Sequence, residues 1–87
     1  MNSNRLSQIL LPAQCRAARG LLNWTQAELA ETAGVSRSTV RDFEGERHEL
    51  HAHTESKLIE ALEHAGVQLL AEAGLGPGVR FRCQPLS

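Results

Sequence analysis

Between Ser36 and Asp42 the chain reads SRSTVRD, and every side chain except Val40 carries a hydrogen-bonding group. Arg37 has a planar fork able to donate two hydrogen bonds to O6 and N7 of a guanine. Ser36, Ser38 and Thr39 supply short hydroxyls that suit base edges or phosphate oxygens. Arg41 adds positive charge. Asp42 accepts from cytosine N4 but repels phosphates. At about 100° per residue, Ser38, Asp42 and Gly45 share one side of a helix. Arg37 and Arg41 flank one edge of that side and Thr39 the other, while Val40, Phe43 and Glu44 face away from it. This chemistry fits the reading of DNA base edges. Taken alone, it also fits a solvated helix face.

Such a face must be held by neighbouring elements, and their start and stop signals are clear. Pro12 suits the first position of a helix, where its missing N–H costs nothing. That first helix is expected over residues 12–22, with Cys15, Ala18, Arg19 and Leu22 on one side. Cys15 is therefore a small core residue, and Arg19 is a charge on an otherwise apolar face. Thr25 and Glu28 form a T-x-x-E capping box, and Trp24 and Leu29 occupy the staple positions around it. Gly34 suits the left-handed residue that ends this second helix. Ser36 caps a third helix, Val35 and Val40 repeat the staple, and Gly45 is expected to stop it. A polar connection over residues 46–53 leads to a fourth helix from about Thr54 to just before Gly66, with Leu58, Ala61, Leu62 and Ala65 as its stripe.

Beyond Gly66 the periodicity changes. Val67–Leu70 is a short apolar run, residues 74–78 (GLGPG) are a breaker, and Val79–Arg82 alternates apolar and basic. This predicts a β-hairpin with a rather long loop. A lone hairpin is marginal, so it must lie on the helices or pair with the same element of a second chain. The organisation expected is an N-terminal arm (1–11), a helix-turn-helix unit (12–66), a hairpin that could serve dimerisation (67–83) and a tail (84–87). The arm is read as loose rather than as an extra helix.

The stretch Trp24–Gly45, WTQAELAETAGVSRSTVRDFEG, resembles the phage-repressor and Cro-like helix-turn-helix family, often called XRE. The resemblance extends back through RAARGLL at Arg16–Leu22 and forward through the fourth helix. The tail GPGVRFR at Gly76–Arg82 is similar to that of a subgroup of small bacterial regulators. It implies a mainly α fold: a lambda-repressor-like bundle of four or five helices with a helix-turn-helix, plus the C-terminal β-hairpin. It also implies roles. Gln26 matches a residue that contacts phosphate and orients the third helix. Arg37, Ser38 and Asp42 match positions that meet base edges, and Thr39 one that contacts phosphate. Arg19 and Glu44 match a partly buried ion pair between the first and third helices. The expected DNA-binding set is Gln26, Ser36, Arg37, Ser38, Thr39, Arg41, Asp42 and Arg47, with Arg19 and Glu44 kept apart as a structural ion pair. Asp42 departs from the amide or basic residue common at its position, so it could instead hold Arg41 or Ser38. Leu11 departs from the hydroxyl cap expected before Pro12.

Bulk composition neither drives nor forbids this reading. The 87 residues carry a net charge of −1. Residues 1–47 hold six arginines against five acids, and residues 48–87 three basic residues against five acids, so positive charge leans weakly toward the helix pair. Phosphate contacts would have to come from few side chains and from helix N-termini. No apolar run approaches a bilayer span, and no signal peptide is recognised, so a cytoplasmic, reduced protein is expected. Two cysteines, Cys15 and Cys83, make no disulfide framework. His48, His51 and His53 are too loosely spaced, without a nearby cysteine, to suggest a metal site. No enzyme, cofactor or membrane partner is expected. The function expected is a dimeric, sequence-specific regulator of transcription, a repressor on an inverted repeat of double-stranded DNA. The rivals are the antitoxin or controller half of a two-gene cassette, with a protein partner as well, and a protein-interaction adaptor that uses the fold without DNA.

Overall fold

The structure, a computed structural model, describes residues 10–72 and 74–82. Among the described residues, four helices precede a two-stranded antiparallel hairpin: α1 (Pro12–Leu22), α2 (Gln26–Ala33), α3 (Arg37–Glu44), α4 (Ala52–His64), β1 (Val67–Glu72) and β2 (Gly76–Phe81). The mainly α bundle with a C-terminal hairpin expected from sequence is the fold observed. Its core joins Cys15 and Ala18 of α1, Leu29 of α2, Val40 and Phe43 of α3, Leu58 and Leu62 of α4, and Val67 of β1.

Local signals explain the helix pair. Thr25 Oγ1 accepts from the Glu28 N–H at 3.0 Å while the Glu28 carboxylate accepts from the Thr25 N–H at 2.8 Å. Two orphan donors of α2 are satisfied at once. Gly34 ends α2 with φ at +75°, the left-handed turn that a residue without Cβ adopts freely. Val35 and Trp24 pack on the core and fix the angles at which the chain enters α3 and α2. At α1, Leu11 has no side-chain acceptor, and only half of a box forms: Gln14 Oε1 accepts from the Leu11 N–H at 2.9 Å.

Four details differ from the sequence reading. Leu10, assigned to a loose arm, is fully buried, and its N–H donates to buried Glu55 at 2.9 Å. The remainder of the arm, residues 1–9, lies outside the described residues, as do Cys83 and the tail 84–87. Helix α4 begins at Ala52, ahead of Thr54; its apolar stripe starts only at Leu58, so apolar spacing does not mark the polar first turn. Gly45 does end α3, but with φ at −85°; the left-handed residue is Glu46, at +62°. The glycine therefore stands one position before the conformation that glycine serves best. Finally, Gly76-Pro77-Gly78 belongs to β2 and is not loop.

Continuous register explains how β2 accommodates a proline. Val67 faces Phe81, Leu69 faces Val79, Leu70 faces Gly78 and Ala71 faces Pro77. The Arg82 N–H donates to the Gly66 carbonyl at 2.7 Å, so Val67–Phe81 is a non-hydrogen-bonded pair. By alternation, Ala71–Pro77 is another, and the missing N–H of Pro77 faces away from β1 where no ladder bond is lost.

The hairpin lies against α1 and α4 and is fastened there by a buried amide. Gln14 Nε2 donates to the carbonyls of Leu70 and Gly78 at 2.9 and 3.0 Å. With its oxygen engaged by Leu11, the Gln14 amide is satisfied at both ends, as a buried polar side chain requires. Arg82 donates to the Glu63 carbonyl at the other end of the hairpin.

Candidate nucleic-acid interface

Helix α3 is amphipathic in the way a presented helix must be. Val40, Phe43 and Glu44 are buried. Arg37, Ser38 and Arg41 are exposed, and Thr39 and Asp42 are half-buried. Burial of the first set anchors the axis so that the second set projects from a fixed frame.

Glu44 is the hub of that anchoring. Its side chain is 2% exposed and accepts from Arg19 through both oxygens: Nε to Oε2 at 2.8 Å and Nη2 to Oε1 at 2.7 Å. Such a fork resists rotation as well as separation. Arg19 Nη1 also donates to the Trp24 carbonyl at 3.0 Å, tying the α1–α2 connection to the same point. Gln26 Nε2 donates to Glu44 Oε1 at 3.0 Å. Burial alone would push the Glu44 carboxyl up; hydrogen bonds from Arg19, Gln26 and Cys15, with the Arg19 charge, outweigh it and hold the group below its ordinary value. Cys15 lies behind this cluster. Burial pushes its thiol well above the ordinary range, and the hydrogen bond and negative charge of Glu44 push it further. It is a packed side chain rather than a nucleophile.

The hydroxyls at the start of α3 form a compact group. Ser36 Oγ accepts from the Thr39 N–H at 3.1 Å and lies 2.7 Å from Thr39 Oγ1 and 3.2 Å from Ser38 Oγ. Ser36 is thus committed to capping, whereas Ser38 stands on the exposed surface. Asp42 Oδ1 accepts from Arg41 Nε at 3.3 Å, one of the two uses the sequence left open for it. An aspartate so engaged neutralises part of its own repulsion toward an anion.

A cleft beside α3 collects the positive charge that composition hides. It is lined by Arg16, Arg19, Gln26, Arg41, Glu44, Gly45 and Arg47. Arg19 is neutralised by Glu44, but Arg16, Arg41 and Arg47 are exposed. Arg16 also donates to the Glu44 carbonyl at the C-terminal end of α3, where a cation is favoured. The expected set therefore divides in space: Arg37 and Ser38 stand on the α3 surface, Ser36 and Thr39 at its N-terminus, and Gln26, Arg41 and Arg47 around the cleft. Arg16 was missed in the sequence, although its spacing of three from Arg19 places the two side chains side by side on a helix.

A family model described as helix-turn-helix matches residues 16–63, more than half of the chain. The chain belongs to the XRE helix-turn-helix family. The matched span holds Arg16 and Arg19 of α1, both helices of the motif and all but the last residue of α4. Membership in this family supports a DNA-binding regulator of transcription in general; the family is typically non-enzymatic. No curated protein matches the chain. Among the described residues, no group of three or more His, Cys, Asp or Glu could hold a metal ion, and no helix is long and apolar enough to cross a membrane.

Proposed function

We propose that this XRE helix-turn-helix protein is a sequence-specific repressor that binds double-stranded DNA as a homodimer on an inverted repeat, in the cytoplasm. The observation that carries the reading is the division of α3: Val40, Phe43 and Glu44 are buried and fix the helix, leaving Arg37, Ser38 and Arg41 exposed. Arg37 reads guanine, and Ser38 adds a second contact to a base edge. Asp42 positions Arg41. Gln26, with one amide hydrogen on Glu44, turns the rest of its amide to a phosphate, joined by Thr39 at the start of α3 and by Arg16, Arg41 and Arg47 in the cleft. Ser36 serves this surface by holding the first turn of α3 in shape. Two copies place their α3 helices in successive major grooves, about 34 Å apart. The dimer represses by occupying its site.

Selection of bound fragments from random duplex DNA tests the whole reading. The expected product is two inverted half-sites whose centres lie about one helical turn apart. Recovery of no preferred sequence at any salt concentration would leave the adaptor reading in its place.

A further inference from the structure

We propose that the outer edge of β1 is the surface on which two copies of this chain pair, strand against strand, across a two-fold axis. The proposal rests on the dimeric reading above and assigns its interface.

The hydrogen-bond parity of the hairpin leaves β1 open. Val67–Phe81 and the alternate pairs beyond it are non-hydrogen-bonded, so the N–H and C=O of Leu69 and Ala71 point away from β2. Among the described residues, no backbone or side-chain hydrogen bond reaches them. Val67 is buried, Leu69 half-buried and Ala71 exposed, so the accessible part of the edge runs from Leu69 outward. Exposed edges ordinarily carry a proline, a bulge or a charged side chain that discourages pairing. Over Val67–Ala71, VQLLA, β1 has none of these; its one charged residue, Glu72, stands at the end of the strand, and the register with β2 runs without interruption.

The other edge of the sheet is protected. Pro77 occupies an outward-facing position of β2 and supplies no donor there, while Arg80 turns across the sheet to donate to Gln68 of β1 at 2.9 Å. Each protomer thus offers one open edge and one blocked edge. Pairing through the open edge closes after two copies, with strand order β2-β1-β1-β2, and cannot propagate into a filament. A second copy fits this edge better than an unrelated strand because the two-fold axis sets VQLLA against itself. Leu69 and Ala71 meet aliphatic partners, and no like charges are opposed. Half of an inverted repeat is also unread without the second copy, so the DNA surface is incomplete in one protomer.

Residue-resolved amide exchange on the full chain, followed from dilute to concentrated solution, is the direct test. The Leu69 and Ala71 amides gain protection as the dimer forms, although the hairpin itself gives them no acceptor; the outward amide of Phe81 does not. Ala71→Pro removes one outward donor per protomer without touching a bond within the hairpin. Two ladder hydrogen bonds are lost per dimer, and sedimentation should show the dimer dissociation constant rising by about 30-fold. Phe81→Pro makes the same change on the blocked strand and leaves the dimer intact. Unprotected Leu69 and Ala71 amides in a dimer, a wild-type chain that stays monomeric at every concentration, or equal dissociation of both proline variants would overturn the proposal. If Ala71→Pro fails to fold, the wild-type exchange pattern decides. Recovery of a preferred half-site in the DNA selection is a separate outcome, so loss of this interface and loss of the DNA reading are told apart.

Discussion

Glu44 illustrates how one side chain serves both stability and presentation. Its carboxylate receives Arg19 and Gln26, and its backbone carbonyl receives Arg16, so α1 and α2 both grip the end of α3. Because its carboxyl is held below the ordinary value of 4.5, the folded state favours the ionised form. That stability is complete above the unfolded value and is lost as pH falls through the lower folded value. Resistance of the wild type to urea should therefore fall as pH drops below about 4.5, with this part of the slope absent in Glu44→Gln. At neutral pH the variant should lose less than the about 3–5 kcal/mol of a fully buried broken pair, since Arg19 keeps partial access to water. Equal acid slopes would remove Glu44 from the account. Arg37 has the opposite character, exposed and without a structural duty. Arg37→Ala should leave the melting temperature unchanged, cost about 1–3 kcal/mol on the preferred site and relax preference at one base position. A uniform loss on all sequences, measured by competition binding, would deny it a base-reading role. The residue types on this surface were legible in sequence because helical spacing alone separates Arg37 and Ser38 from Val40 and Phe43. Arg16 was not, because its place in the cleft depends on where α1 lies against the end of α3.

At the scale of elements, helices were read more closely than strands. Each of the first three helices carries a local start signal, whether proline, capping box or staple, and such signals act within a few residues. The hairpin has no comparable marker. Its glycines and proline suggested loop, yet Pro77 is compatible with β2 because it sits where the strand needs no donor. The contact that seats the hairpin, from Gln14 to the Leu70 and Gly78 carbonyls, joins residues more than fifty positions apart. Gln14→Ala leaves the Leu11 N–H without its side-chain acceptor and removes the amide from both carbonyls. It should cost about 1–3 kcal/mol. Amide exchange should quicken across β1 and β2 while α2 and α3 keep their protection; uniform loss across all elements would show that the hairpin is not separately tethered.

At the scale of the whole molecule, the net charge of −1 misleads by averaging. Folding gathers Arg16, Arg41 and Arg47 into one cleft beside α3, where Glu44, the only lining carboxylate among the described residues, is already paired with Arg19, so cations outnumber anions there although the chain is net negative. Each phosphate neutralised contributes about −0.9 to the slope of log affinity against log salt. Arg16→Ala should therefore flatten that slope by about 0.9 on preferred and random duplexes alike. An unchanged slope, measured by fluorescence anisotropy across salt concentrations, would place Arg16 outside the contact surface.

The sequence by itself determined the helix pair, its caps, the apolar stripes that bury α3 on one side and the polar side chains left on the other. These follow from spacing and from bonds made within a turn or two of the chain. Tertiary structure decided the rest: the burial of Leu10 over Glu55, the seat of the hairpin on Gln14, the left-handed Glu46, the arginine cleft and the open edge of β1. Each depends on which distant segments meet, and chain spacing carries no record of a contact whose geometry is set only when the core closes.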